Sequence, residues 1–360
     1  MSDSTSVRVD LGQRAYDIEI GSGNLSGLGA FIAARRKLTH AVIITDGNVE
    51  QPYARQVADS LSDAGAEGDL LIVDPGEKSK TVAAANTLWC ELLEAGVDRK
   101  SIIVAVGGGV IGDLAGFVAA TYARGLAFIQ VPTTLLAQVD SSVGGKVGVN
   151  LPEAKNMVGA FWQPSGVLID TDVLKTLPAR QYRAGLAEVV KYGVILDEAF
   201  FAWLEQNVEA LNRRDAAALR HVVARCCRLK ADVVENDERE ETGLRAVLNY
   251  GHTFCHAFEA ASGYGQLLHG EGVAIGMMCA ARLAVLLGRV EDSFVERQRR
   301  LLEALELPVA TPELDRHHLL ELMQNDKKVE HGRLRFVLPR RMGQVELVGD
   351  VPSDLARAAL

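Results

Sequence analysis

Three of the eight histidines in this chain, His252, His256 and His269, fall within 18 residues in otherwise apolar sequence. In NYGHTFCHAFE, His252 and His256 are spaced i,i+4 and share one helix face. His269 opens HGEGVAIGM, just before a further helical pattern. In EVVKYG, Glu188 and Lys191 are spaced i,i+3, again on one face. Two histidines and a distant carboxylate are good ligands for a catalytic zinc with an open position. Spacing alone makes His252 and His256 the obvious pair, in the manner of HxxxH zinc helices. A single such histidine would read as a satisfied core residue, and it is the cluster that points to metal.

The first half carries groups suited to anions. GGGVIGD (107–113) follows the apolar run IIVAV directly. Glycines let backbone amides approach a phosphate, and a helix beginning near Val110 adds its positive end. The plain alternative is a tight strand-to-helix turn. Asp46, at the end of AVIIT, is placed to accept ribose hydroxyls, although Asp-Gly is also a turn signature. PGEKSK (75–80) offers Glu77 and Lys80, and Thr133 and Thr134 follow AFIQVP. Ligands of open α/β sheets collect at such carboxyl ends. Residues 139–164 mix Asp140, Lys146, Asn150, Lys155 and Asn156 with glycines, too irregularly for a periodic element. A long loop-rich segment of that composition suits an oxygen-rich anionic substrate. Phe161 and Trp162 read as packing. Glu241 and Arg245, at i,i+4, and the pair Lys327 and Lys328 are weaker candidates.

The elements that position these groups follow from periodicity. AVIIT (41–45), DLLIVD (69–74), SIIVAVG (101–107), AFIQVP (127–132) and GVLIDT (166–171) are short β-branched runs separated by helical patterns, one of them 81–96. They predict an α/β domain with a largely parallel sheet. After Pro178 the texture turns helical at 182–210, 215–233, 244–262, 270–288 and 291–306, with a hairpin at 335–349. The expected division is 1–179, α/β, and 180–360, mainly helical. Length supports two domains, since 360 residues exceed one typical domain. Lysine plus arginine is 38 against 47 acidic residues, a formal charge of −9, which argues against a broad nucleic-acid-binding surface. Five cysteines, none in CxxC spacing, exclude a zinc ribbon or a disulfide framework. The start MSDSTSVRVD lacks the features of a signal peptide. The most apolar run, 273–288, contains Arg282 and is short for a membrane span. The expectation is a cytoplasmic protein without membrane or nucleic-acid partners.

Taken together, GGGVIGD, RGLAFIQVPTTLLAQVDSSVGGKVGVNLPEAKNMVGAFWQP, GLAEVVKYG, LNYGHTFCHAFE and HGEGVAIGM resemble the 3-dehydroquinate synthase family of sugar phosphate cyclases, from about Asp46 to Val348. The resemblance implies a Rossmann-like NAD-binding domain, a helical metal-binding domain, an active site in the cleft between them, and a homodimer. It implies one divalent metal, zinc or cobalt, held by Glu188, His252 and His269. His256 then matches a catalytic histidine outside the metal shell, against the spacing argument. NAD positions are implied at Asp46, Pro75, Gly76, Glu77, Lys78, Ser79, Lys80, Gly109, Val110, Ile111, Gly112, Asp113, Thr133, Thr134, Lys146, Lys155, Val173, Leu174, Lys175 and Thr176. Substrate positions are implied at Arg124, Asp140, Lys146, Lys155, Asn156, Lys191, Lys230, Arg245, Asn249, His256 and one or both of Lys327 and Lys328. Of these, Arg124, Lys146, Asn156, Lys191 and His256 are implied to be catalytic.

The implied substrate is 3-deoxy-D-arabino-heptulosonate 7-phosphate, a small anionic sugar phosphate. Transient oxidation at C5 acidifies C6, phosphate leaves, the hydride returns, and an internal aldol closure gives 3-dehydroquinate for aromatic amino acid biosynthesis. Related readings are another NAD- and metal-dependent sugar phosphate cyclase or a polyol dehydrogenase. Two positions depart from the family's wording: Cys255 stands where GHTFGHA has glycine, and Gly272 where HGEAVA has alanine.

Overall fold

The computed structural model describes residues 4–152, 154–263, 266–324 and 334–360. They form two compact units, Met1–Leu177 with Leu219–Arg239, and Pro178–Ala218 with Glu240–Leu360. The expected boundary at 179/180 falls at Leu177/Pro178, but Leu219–Arg239, expected in the helical half, belongs with the first unit. The amphipathic pattern at 215–233 says that the helix has a buried face. It cannot say which core buries that face.

In the first unit, β1 (Thr5–Val9), β2 (Tyr16–Gly21), α1 (Leu28–Ala33), β3 (His40–Asp46), α2 (Arg55–Asp63), β4 (Glu67–Val73), α3 (Val82–Glu94), β5 (Ile102–Gly107), α4 (Gly109–Thr121) and β6 (Ala127–Pro132) follow in order. Then come β7 (Lys146–Leu151), β8 (Ala154–Phe161) and β9 (Gly166–Asp170). Seven strands lie in the order β1-β2-β9-β6-β5-β3-β4, all parallel neighbours except the antiparallel β1 and β2. All six residues of β5 are buried, as continuous apolar strands between two helical layers require. From β3 the chain passes through α2 to β4 on one side, then through α3 to β5 on the other. The carboxyl ends of β3 and β5 therefore flank a topological switch point, where such sheets bind ligands.

The segment expected to be irregular is partly regular. A π-helical turn spans Ala137–Ser141, and β7 and β8 pair as a hairpin with Lys146 opposite Phe161. Val147 and Val149 join the core around α4. Trp162 packs as expected, donating from Nε1 to Leu126 O at 3.0 Å, but Phe161 is 42% exposed.

In the second unit the 182–210 pattern is three helices, α5 (Ala179–Leu196), α6 (Glu198–Gln206) and α7 (Val208–Asn212). Asp197 ends the first and caps the second by accepting from Phe200 N at 3.0 Å. α8 (Ala216–Asn236) carries the chain back into the first unit. The second unit resumes with a 3-10 segment at Leu244–Asn249, then α9 (His252–Ala261), α10 (His269–Leu286), α11 (Asp292–Ala304) and α12 (Arg316–Gln324). The hairpin β10 (Phe336–Arg341) and β11 (Gln344–Val348) and the helix α13 (Ser353–Ala358) complete it. Among the described residues α10 alone is long and apolar enough to cross a membrane, and 72% of it is buried as a core helix.

Candidate active site

In the first unit the glycine turn sits at the switch point. α4 begins at Gly109 behind Gly108, whose backbone is extended, and no side chain caps the helix. Its first N–H groups, with the positive end of the helix dipole, suit a phosphate. The turn tolerates little bulk: a Cβ at Gly109 would lie 3.1 Å from Ser141 Oγ. Thr133 N donates to Gly107 O at 2.9 Å, joining the ends of β6 and β5. Asp46 closes β3 and accepts from Asn48 N at 2.9 Å, while burial pushes its carboxyl up.

A polar network gathers five of the residues singled out from the sequence. Lys80 Nζ pairs with Asp113 and donates to Asn156 Oδ1 at 2.5 Å. Asn156 N donates to Asn150 Oδ1 at 2.9 Å, and Asn150 Nδ2 to Glu77 Oε1 at 2.7 Å. Asn156 adopts φ +56°, a left-handed conformation that asparagine tolerates better than most residues. Burial raises the Asp113 carboxyl, and Lys80 pulls against that rise. Lys230, from α8, donates to Asp140 Oδ1 at 2.8 Å and to Asp140 O at 2.6 Å.

One candidate in this unit lies at the opposite end of the strands. Arg124 precedes β6 at its amino end, with φ +68°, whereas Thr133 and Thr134 follow its carboxyl end. The six-residue strand between them spans ~20 Å, so Arg124 stands apart from the switch-point set. Val173 and Leu174 are buried core, and Lys175 pairs with Asp172 at 3.0 Å. Thr176 Oγ1 meets Tyr53 Oη at 2.5 Å. Pro75 to Lys78 are exposed, and Ser79 Oγ donates to Asp74 O at 2.6 Å. Lys146 is exposed at the start of β7, and Lys155 is half-buried in β8.

In the second unit three helices converge on one triplet. Glu188 lies in the middle of α5, His252 is the first residue of α9 and His269 the first of α10. Glycines allow the approach: a Cβ at Gly270 would lie 1.8 Å from Ala184 O, and one at Gly276 2.2 Å from Gly251 O. Glu188 Oε1 is 3.7 Å from His252 Nε2 and 3.7 Å from His269 Nε2. Glu188 is 1% exposed, Oε1 has no hydrogen-bond donor, and Oε2 pairs with buried Lys191. An orphaned carboxylate oxygen facing two imidazole nitrogens is what a divalent cation would satisfy. His252 Nδ1 lies 3.2 Å from Tyr250 O, a contact that places the ring proton on Nδ1 and leaves Nε2 for a cation. Burial works against protonation of His269, but Cys255, Glu259 and Glu188 outweigh it and hold its pKa well above 6.5. That environment favours positive charge.

His256 lies with its ring centroid 5.7 Å from that of His252, edge to face. Among the described residues it belongs to neither of the two groups whose donor atoms could hold a metal, which are Glu188, His252 and His269, and Cys255, Glu259 and His269. The HxxxH pairing expected from spacing is therefore not the arrangement found. Arg245 is buried and lies 3.6 Å from Glu240, while Glu241 is exposed outside any helix, so the expected i,i+4 pair is replaced by its neighbour. Asn249 ends the 3-10 segment. Lys327 and Lys328 lie outside the described residues. The sequence candidates include neither Glu259, 3.5 Å from His269 Nδ1, nor a role for Cys255 beside that ring. Their shared face at i,i+4 was the available signal.

The fold recurs in solved sugar phosphate cyclases. A 2-deoxy-scyllo-inosose synthase complexed with carbaglucose-6-phosphate, NAD+ and Co2+ superposes with TM-score 0.89 at 28% identity, covering 98% of each chain. A 2-epi-5-epi-valiolone synthase from Streptomyces hygroscopicus with NAD+ and Zn2+ bound gives 0.87 at 30% identity, covering 96% of this chain and 95% of that one. A glycerol dehydrogenase from Schizosaccharomyces pombe, 18% identical with TM-score 0.67, shares the fold alone. The architecture is thus that of a two-unit sugar phosphate cyclase.

Sequence comparison narrows this class. Family models described as 3-dehydroquinate synthase N-terminal and C-terminal match residues 70–184 and 185–329. Curated 3-dehydroquinate synthases from Rhodopirellula baltica and Desulforamulus reducens are each 50% identical, over 99% and 96% of this chain and 96% of each relative. The chain belongs to the 3-dehydroquinate synthase family.

Proposed function

We propose that the chain converts 3-deoxy-D-arabino-heptulosonate 7-phosphate to 3-dehydroquinate and phosphate, as a carbon–oxygen lyase of the shikimate pathway. The observation that carries the site is Glu188 Oε1, buried, without a donor and 3.7 Å from Nε2 of both His252 and His269. Those three residues would hold one divalent ion, zinc or cobalt. The turn at Gly109–Asp113, with Asp46, Thr133 and Thr134, would hold NAD. When bound, NAD supplies reversible hydride exchange at C5 and the ion supplies Lewis-acid polarisation of substrate oxygens.

The chain's own groups handle charge and protons. Lys191, buried beside Glu188, Arg245 and Lys230 supply positive charge in poorly solvated places, where it acts most strongly on an anionic sugar. Lys146, Lys155 and the Lys327–Lys328 pair add cations for carboxylate and phosphate. Asp140, Asn156 and Asn249 offer hydrogen bonds to hydroxyls. The assignment of Arg124 rests on the family resemblance. At elimination the C7–O bond breaks as C6 gives up its proton to the departing phosphate, and His256 steadies that proton exchange. A homodimer in the cytoplasm belongs to the same reading.

A second reading is favoured by the solved structures: closure of a different sugar phosphate. It is the weaker one, because the curated 3-dehydroquinate synthases stand at 50% identity and the other cyclases at 28–30%. Phosphate release from a panel of sugar phosphates tests both. The heptulosonate phosphate should be turned over with almost no NADH accumulating at 340 nm. Turnover of a neutral heptulose phosphate alone would overturn the choice.

A further inference from the structure

One sulfur atom lies between α9 and the start of α10. Cys255 is fully buried, and its Sγ lies 3.7 Å from His269 O and 3.9 Å from His269 Nδ1. A Cβ built on Gly272 would come within 2.7 Å of that Sγ, yet 3.7 Å from Cys255 Cβ, an ordinary contact. With the sulfur in its present place a methyl at position 272 would clash with it, so one of the two must shift. The two positions that depart from the family's wording are thus neighbours in space, and the sulfur of one lies where a methyl on the other would stand.

The exchange is not neutral toward His269, because a methyl offers that ring nothing and a thiol offers it a partner. If Nε2 is to present a lone pair beside Glu188, the ring proton must sit on Nδ1. Sγ–H donates to His269 O, which leaves the sulfur lone pairs, at 3.9 Å, and Glu259 Oε1, at 3.5 Å, to receive Nδ1–H. We infer that Cys255 is a positioning residue for His269: with Glu259 it holds the ring in the tautomer and orientation that a metal needs, and Gly272 leaves room for its sulfur. This rests on the metal reading above and adds to it the group that stands behind the ligand. Partners of this kind commonly change metal affinity by about 10- to 100-fold when removed.

The experiment compares the whole protein with C255A, C255S, G272A and C255A/G272A. It reads apoprotein Tm, and zinc release to a colorimetric chelator. C255A leaves a sulfur-sized void, lowers Tm modestly and speeds zinc release about 10-fold. G272A forces methyl and sulfur together and lowers Tm further. The double variant refills the gap and recovers Tm, while zinc release stays about 10-fold fast. C255S, which keeps a donor and an acceptor, holds zinc closer to the unaltered protein than C255A does. Recovery of zinc retention together with Tm in the double variant would reduce Cys255 to a packing atom and overturn the inference. Equal zinc release from C255A and the unaltered protein would do the same. If the unaltered protein held no stoichiometric zinc, the metal reading would fall, and this inference with it.

Discussion

Lys230 reaches Asp140 with a single ammonium group that donates both to the carboxylate, at 2.8 Å, and to the backbone carbonyl, at 2.6 Å. One residue lies on α8 and the other in the π-helical turn after β6, 90 positions earlier. The contact is one of several that tie a stretch flanked on both sides by second-unit sequence to the first unit, beside Arg228 donating to Arg8 O and Glu235 accepting from Asp10 N. Its loss should be felt as stability. K230M leaves a partly buried carboxylate without its cation and should cost about 2 kcal/mol. D140N, which keeps a carbonyl acceptor, should cost less. Urea unfolding of both variants checks the order, and an equal loss would contradict the charged contact.

Lys146 and Lys155 lie on adjacent strands of one hairpin, in the segment richest in polar side chains. Methionine keeps the apolar stem and removes the charge. K146M and K155M should each lower kcat/KM by roughly 10²-fold, about 2.7 kcal/mol of lost transition-state stabilisation. Steady-state phosphate release measures this, and normal turnover by both would remove the anion-binding assignment.

The convergence of α5 and α10 depends on Gly270, where a Cβ would lie 1.8 Å from Ala184 O. Backbone cannot step aside as a side-chain tip can, so G270A should lower stability by about 1–3 kcal/mol. It should also displace His269 from Glu188, so zinc retention should fall with Tm. G349A, at a site with nothing within 4 Å and no positive φ, serves as a control for chain effects. A G270A protein with unchanged Tm and zinc would show that the helices have room to part.

Burial pushes the Cys227 thiol up to about 12 and the Cys279 thiol up to about 11, from 9.0. Above pH 9 the unfolded chain releases these protons while the folded protein keeps them. Their contribution is therefore complete below pH 9 and lost as pH rises through the folded values, at about 1 kcal/mol per pH unit for each thiol. Tm should fall between pH 9 and 11, and more gently in C279A than in the unaltered protein. A slope identical in both would exclude this thiol as a cause.

Much of the fold was legible because its causes are local. The runs around Ile43, Val104 and Ile129 are β-branched and buried on both faces, and they became β3, β5 and β6. The β7–β8 hairpin was hidden because glycines break its alternation. Gly148 and Gly159 face one another so closely that a Cβ on Gly159 would lie 2.3 Å from Val147 O, and the strands are held by packing on α4. Periodicity read the His252–His256 face correctly but could not bring in His269, because nothing along one helix encodes where the next begins. Only the family resemblance linked Glu188, His252 and His269, and the structure supplies the geometry that supports it. The coupling of Cys255 to Gly272 links two helices as well, so neither residue alone revealed it.

In the proposed site His269, and not His256, completes the ligand set with Glu188 and His252. Zinc bound per chain after dialysis, measured side by side on H252A, H256A and H269A, tests it most directly. H252A and H269A should lose zinc, since each gives up one of three protein ligands. H256A should keep near-stoichiometric zinc while phosphate release falls roughly 10²-fold, the scale of a lost acid–base group. Zinc lost from H256A but retained by H269A would overturn this ligand set and restore the pair that spacing alone suggests.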